Sequence, residues 1–291
     1  QARCLKDRHP QVDYASVVDD RAIRGPCEHV IAATHTALAM DTAAGLVNAT
    51  DKFVGLATTA ADRQTLRNTT FQGQPLKVEL DTTYVGINIT TRRSPKRALQ
   101  NERCTQAITA ANHVISARAP DALAAMAAAS KSIAKMTYGC IWTTPALQLL
   151  RRHRSRMITA TWGQCRLMRC AEIVTAVFHD PTRVDPIGAI VYRALSDIRR
   201  MLKKDANRCG FVLSNLWLAD DVQLDDVQGP AHAIRAYAAV LDCSYLVDGH
   251  SLWLQPEDNS QPPLNLLGEI NTYVKNWLKH RVKYLILNSL A

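Results

Sequence analysis

The stretch Tyr14-Ala15-Ser16-Val17-Val18-Asp19-Asp20-Arg21-Ala22-Ile23-Arg24 decides how the rest of the chain is read. Two β-prone runs flank two adjacent acids, which predicts strand, tight turn, strand, with the carboxylates at the tip of a hairpin. Carboxylates on a rigid turn suit Mg²⁺ (or Mn²⁺), which takes hard oxygen ligands, keeps several waters and bridges phosphate oxygens of a substrate. Asp19 and Asp20 are therefore candidate metal ligands and candidate catalytic residues. A solvated surface turn is the competing reading, because Asp favours turns for local reasons alone.

Working outward, a helix is expected from about Cys27 to Ala44, stopped by Gly45 as a C-cap. Val30, Ala33, Leu38 and Met40 read as its inward side, with His29, His35 and Asp41 elsewhere. Leu46-Val47-Asn48 then leads to Lys52 and the apolar strand Phe53-Val54-Gly55-Leu56. Further on, the strand-like Leu76-Lys77-Val78-Glu79-Leu80 is answered by Thr83-Tyr84-Val85-Gly86-Ile87-Asn88-Ile89. Residues 12 to 90 thus read as an α+β layer with an antiparallel sheet.

The order of these parts resembles the second half of a reverse transcriptase palm, in particular that of non-LTR (LINE-like) retrotransposons. The resemblance matches Asp19-Asp20 to the family's aromatic-x-Asp-Asp motif, and Gly45-Leu46 with Lys52 to the next motif. It matches Tyr84-Val85-Gly86-Ile87 to the Leu-Gly motif that grips the primer. Val17 stands where the family usually has Tyr or Phe, and the family's first catalytic Asp and nucleotide-selecting segment fall upstream of Gln1. The resemblance implies an RNA-directed DNA polymerase, a two-metal nucleotidyltransferase working on an RNA template, a DNA primer and deoxynucleoside triphosphates within a longer polyprotein. Asp19 would ligate metal, and Asp20 would ligate or orient the site. Lys52 would stand near the leaving pyrophosphate as general acid or charge stabiliser, and Tyr84, Val85 and Gly86 would form the primer grip. An ordinary exposed lysine and a plain core strand compete with these last two assignments. With one metal-binding carboxylate upstream, this chain alone is expected not to extend a primer.

From Thr91 the pattern is almost wholly helical. Ser94-Pro95 predicts a helix start running to about Ala117, and Pro120-Asp121 a second, alanine-rich helix that stops at Gly139. Pro145 predicts a third helix to Trp162, followed by Cys170 to Val177 and Pro186 to Leu202. Five short-looped helices make a bundle. Since a helical thumb follows the palm in the family, residues 91 to 210 read as a basic thumb. Residues 211 to 230, with Asp220-Asp221 and Asp225-Asp226, read as a solvated acidic linker ended by Gly229-Pro230. Residues 231 to 291 read as helix, hairpin around Asp248-Gly249, loop, and a last helix from about Leu266 to Leu287. That helix carries Leu267, Ile270, Val274, Trp277 and Leu278 on one stripe and Lys275, Lys279, Arg281 and Lys283 off it. No motif assigns this region a role.

The 291 residues carry 35 Lys and Arg against 26 Asp and Glu, a net charge of +9. Between Thr144 and Arg208 the count is 13 basic against 5 acidic, so nearly all the excess lies there. Such concentration favours a polyanionic partner. Arg151, Arg152, Arg154 and Arg156, followed by Arg166 and Arg169, are candidate phosphate contacts, which position a duplex without reading its sequence. The competing reading is a solvated helix face. A basic helical protein that binds nucleic acid without catalysis is the alternative to the polymerase, and a helical scaffold for protein partners a third possibility. The eight cysteines form no C-x-x-C pair and have no companion histidines at zinc spacing. They read as reduced thiols of an intracellular protein, in nucleus or cytoplasm. The N-terminus lacks the pattern of a signal peptide and no apolar run approaches the roughly 20 residues that span a bilayer, which argues against membrane insertion.

Overall fold

A short helix α1 (Ala2–Arg8) leads into β1 (Asp13–Val17), which pairs antiparallel with β2 (Asp20–Arg24) in the register Val17↔Asp20. These belong to the first of two units, Gln1–Arg93 and Ser94–Ala291, in a computed structural model. The structure describes residues 2–17, 20–92, 94, 96–163, 170–216 and 222–289.

After the hairpin, α2 (Cys27–Ala43) buries Ala33, Ala37, Leu38 and also Asp41. The burial of Asp41 departs from the sequence reading, and its cause is an ion pair with Arg21 of β2, which fastens the hairpin to the helix. The helix closes as expected on glycine. Gly45 takes φ +74°, and the N–H groups of Gly45 and Leu46 donate to the Thr42 and Asp41 carbonyls, the paired closure of a Schellman motif. A 3₁₀ turn (Thr50–Lys52) precedes β3 (Val54–Leu56), and α3 (Ala60–Arg67) follows, capped by the Thr59 hydroxyl on Asp62 N–H at 3.1 Å.

The expected single antiparallel sheet does not form. Strands β4 (Thr70–Phe71) and β5 (Gln74–Pro75) pair with each other, as do β7 (Asp81–Tyr84) and β8 (Ile87–Thr90). Strand β6 (Lys77–Glu79) pairs parallel with β3. A parallel pair needs a long crossover, and here α3 and the β4–β5 hairpin supply it.

The second unit is helical with one small sheet. Helix α4 (Ala98–Ala117) begins later than Ser94-Pro95 suggests, behind Arg97. Helix α5 (Asp121–Ala127) continues through a π-helical turn (Ala128–Ile133) into α6 (Ala134–Thr137). Ala107, Ala111, Ala124 and Ala128 are buried, so this alanine-rich run lies close against α4. Helix α7 (Leu147–Trp162) starts two residues past Pro145, where Ala146 N–H donates to Asn101 Oδ1 at 2.9 Å. Helix α8 (Ala171–Ile173) runs into a second π turn (Val174–Phe178). Asp180 and Asp185 cap α9 (Pro181–Val184) and α10 (Pro186–Lys204), each with proline at the first helical position. Helix α11 (Ala206–Asn215) follows.

Residues 222 to 229 are not a solvated linker. Arg97 stands 3.9 Å from Asp225 and 3.8 Å from Asp226, the Thr144 hydroxyl donates to Leu224 O at 2.5 Å, and Val227 is buried. Asp225 and Asp226, which read as linker charges, anchor the α4 entry, whereas Asp220 and Asp221 lie outside the described residues. Helix α12 (Pro230–Val240) buries Tyr237, whose hydroxyl donates to the Cys140 carbonyl at 2.5 Å. Strands β9 (Cys243–Asp248), β10 (Ser251–Pro256) and β11 (Leu264–Asn265) form an antiparallel sheet in which Asp248 pairs with Ser251. The two-residue turn is therefore Gly249-His250, one place beyond the expected Asp248-Gly249. The last helix, α13 (Asn271–Asn288), starts later than Leu266, because Leu266 and Leu267 are buried in a turn closed by Asn265 Oδ1. Arg281, which the sequence places off the apolar stripe, is fully buried. Its guanidinium donates to Asp258 at 2.8 and 3.0 Å, to Ser260 Oγ at 2.7 Å, and to the Leu241 and Asp242 carbonyls at 2.7 and 2.8 Å. One apolar cluster joins α4 through α13, from Cys104 to Val282. Among the described residues no helix is long and apolar enough to cross a membrane.

Candidate nucleic-acid interface

The carboxylate hairpin is built from the base upward. Arg24 and Asp13 pair across β1 and β2 at 2.5 Å in solvent, and Arg21 reaches the buried Asp41 of α2. This register brings Val17 opposite Asp20 at the end where the chain reverses. Asp19 lies outside the described residues, and of Asp20 only the backbone pairing is described. Two carboxylates are the right donor chemistry for Mg²⁺ or Mn²⁺. Among the described residues no three His, Cys, Asp or Glu side chains are grouped to hold a metal ion.

Lys52 closes the 3₁₀ turn before β3, exposed. Tyr84 ends β7, and Val85-Gly86 form the two-residue turn to β8 with Tyr84 paired to Ile87. Val85 at φ +48° and Gly86 at φ +68° have the two positive angles of a type I′ turn. The sequence places Val85 and Gly86 within a strand, and the structure moves them to its reversal. Strand β7 lies against β3, so the Lys52 turn and the Tyr84 hairpin come from neighbouring strands.

The basic helix α7 divides cleanly. Leu150, His153, Met157, Ile158, Ala160 and Thr161 face inward, whereas Arg151, Arg152, Ser155 and Arg156 are exposed. No described residue pairs with Arg151, Arg152 or Arg156. Arg154 differs from these three. It approaches Asp185 at 2.6 Å and Glu172 at 3.6 Å, so it is not the free cation that the Arg-rich run suggests. Burial pushes the Asp185 carboxyl up, opposed by Arg154 and by the backbone N–H groups of Gly188 and Ile187. Arg166 and Arg169 lie outside the described residues. Of the cations at the end of α10, Arg199 is buried and donates to the Leu266 and Glu269 carbonyls, and Arg200 pairs with Asp197.

Beneath the arginines His153 is fully buried. The Ser132 hydroxyl, on the π turn, donates to Ala107 O at 2.7 Å, so His153 Nε2–H donates to Ser132 Oγ at 2.6 Å. Nδ1 is then the unprotonated nitrogen and has no partner among the described residues. Burial pulls this imidazole down to about 4, so it is neutral at physiological pH. Sequence reasoning passed over Ser155, His153, Glu172 and Asp185. Only Asp185 had a legible signal, its position before Pro186 as a helix cap. Comparison with protein-family models, with curated proteins and with solved structures returned no match.

Proposed function

We propose that the chain is the C-terminal palm and thumb portion of an RNA-directed DNA polymerase of the non-LTR retrotransposon type, binding an RNA template and DNA primer. The observation that supports it most directly is the succession in the first unit. An antiparallel hairpin closing at the Val17–Asp20 pair is followed by a helix closed on Gly45, by Lys52 before a short strand, and by a tight hairpin at Val85-Gly86. In this reading Asp19 and Asp20 hold Mg²⁺ or Mn²⁺, which supplies activation of the primer hydroxyl and neutralises phosphate charge. Lys52 contributes positive charge toward the leaving group, Tyr84, Val85 and Gly86 support the primer, and the α7 arginines carry the duplex. The resemblance calls for a further metal-binding carboxylate that no residue of this chain is matched to, and in this reading the purified chain extends no primer.

A second reading, a non-catalytic nucleic-acid-binding protein, draws only on Arg151, Arg152 and Arg156, with which no described residue pairs. Uptake of Mn²⁺ by the chain with an RNA–DNA duplex bound, followed by electron paramagnetic resonance, separates the two. The polymerase reading expects uptake that Asp19→Ala abolishes. Equal uptake by wild type and Asp19→Ala refutes it and leaves duplex binding to be explained by α7.

A further inference from the structure

A cleft of about 280 Å³ opens on the surface of α7, and the described residues lining it are Arg151, Arg154, Ser155, Ile158 and Thr159. It is smaller than the roughly 300–1,000 Å³ of pockets that enclose a drug-sized ligand, and it faces solvent, so it suits one charged group rather than an enclosed metabolite. Resting on the nucleic-acid reading above, we infer that this cleft seats a single backbone phosphate of the bound strand.

The donors fit that ligand. Arg151 is exposed and no described residue neutralises it. Arg154 stands with Nε 2.6 Å from Asp185 and Nη2 3.6 Å from Glu172, charge contacts that restrain the fork and leave Nη1 with no described partner. A guanidinium whose rotamer is already fixed loses little freedom on gripping phosphate. Ser155 Oγ has no hydrogen bond to any described residue, and its hydroxyl stands one turn beyond Arg151. Thr159 Oγ1 donates to Ser155 O at 3.1 Å, so it can only accept and takes no part as a donor. Two cationic donors and one neutral hydroxyl therefore surround the opening.

A polymer of phosphates is favoured over an isolated anion because Arg152 and Arg156 lie in the next row of the same helix, also without a partner among the described residues. None of the exposed large apolar side chains lies on α7 itself, but Ile173, Val177 and Phe178 are exposed on the neighbouring segment, so vesicle binding is one outcome of the test.

The test is fluorescence anisotropy of a labelled RNA–DNA duplex with the full chain at about 50 and 200 mM salt, using Arg151→Gln, Ser155→Ala, Arg152→Gln and Arg156→Gln. Loss of a cationic phosphate contact lowers the slope of log K against log salt by about one. Arg151→Gln is expected to do this. Ser155→Ala is expected to weaken binding about tenfold with the slope unchanged, the mark of a lost neutral donor to a charged oxygen. If Ser155→Ala and Arg151→Gln match wild type while Arg152→Gln and Arg156→Gln weaken binding, the seat is refuted and the nucleic-acid reading stands. If wild type shows no salt-dependent duplex affinity, both fall. Capture of phosphatidylserine vesicles that depends on Arg151 while duplex affinity does not also refutes the seat.

Discussion

Acidification should unlock the second unit through His153. The imidazole is fully buried between α4, α7 and the π turn, and its pKa falls from 6.5 in a free chain to about 4 in the fold. A histidine with a depressed folded value binds its proton more readily when unfolded. Its neutral form thus contributes stability that is complete above pH 6.5 and is lost progressively as pH falls toward 4. At 1.36 kcal/mol per unit, the loss between pH 7 and pH 4.5 is about 2 kcal/mol, rising to about 3 kcal/mol below pH 4. Carboxylates titrate in part of this window, so the measurement is a difference. Urea unfolding of wild type and His153→Gln at pH 7 and pH 4.5, followed by circular dichroism, isolates the term. Glutamine keeps an N–H toward Ser132 Oγ but cannot take the proton. Wild type should lose about 2 kcal/mol more than the variant over that interval, and equal losses would show that His153 is not the acid-sensitive group.

Other consequences are as direct. Arg281→Met should cost about 3 kcal/mol or more, since it leaves the Leu241 and Asp242 carbonyls and the Asp258 carboxylate without their shared donor, and thermal unfolding reads it. Val85→Asn should raise stability by about 0.5–1 kcal/mol, because Asn tolerates the positive φ that a β-branched residue resists; an unchanged melting temperature would deny that strain.

Local signals carried the sequence reading a long way, and non-local ones defeated it. Gly45 stops α2 and Asp185-Pro186 starts α10 because caps act within one turn of chain. The register of β1 with β2 is similarly set by neighbours in sequence. The partner of β3 is set by what α3 and the β4–β5 hairpin carry across, and no short window contains that. Charges misled most. Asp225 read as a solvated linker charge, Asp41 and Arg281 as lying off the inward side, and Arg154 as a phosphate contact, and each is held by a partner distant in the chain. Periodicity sorts residues by hydropathy, so it cannot tell a solvated charge from one whose counter-ion arrives from elsewhere. At the candidate site, the exposed row Arg151, Arg152 and Arg156 was legible from density of charge, whereas the Arg154–Asp185 contact depended on where α10 begins.

The ties that displaced the acidic linker also govern how the second unit comes into being. Arg97 waits for Asp225, Cys140 O for Tyr237, Arg199 for the carbonyls of Leu266 and Glu269, and Gly188 for Val282. Each closes a loop tens of residues or more in length, so the core cannot be completed while the ribosome is still making α13. A nascent chain carrying only the arginine-rich helices would display unfilled apolar seats, and its basic face would exist before its fold did. Once the last helix is seated, the bundle and the small sheet share one interior, and they should melt together as a single cooperative block.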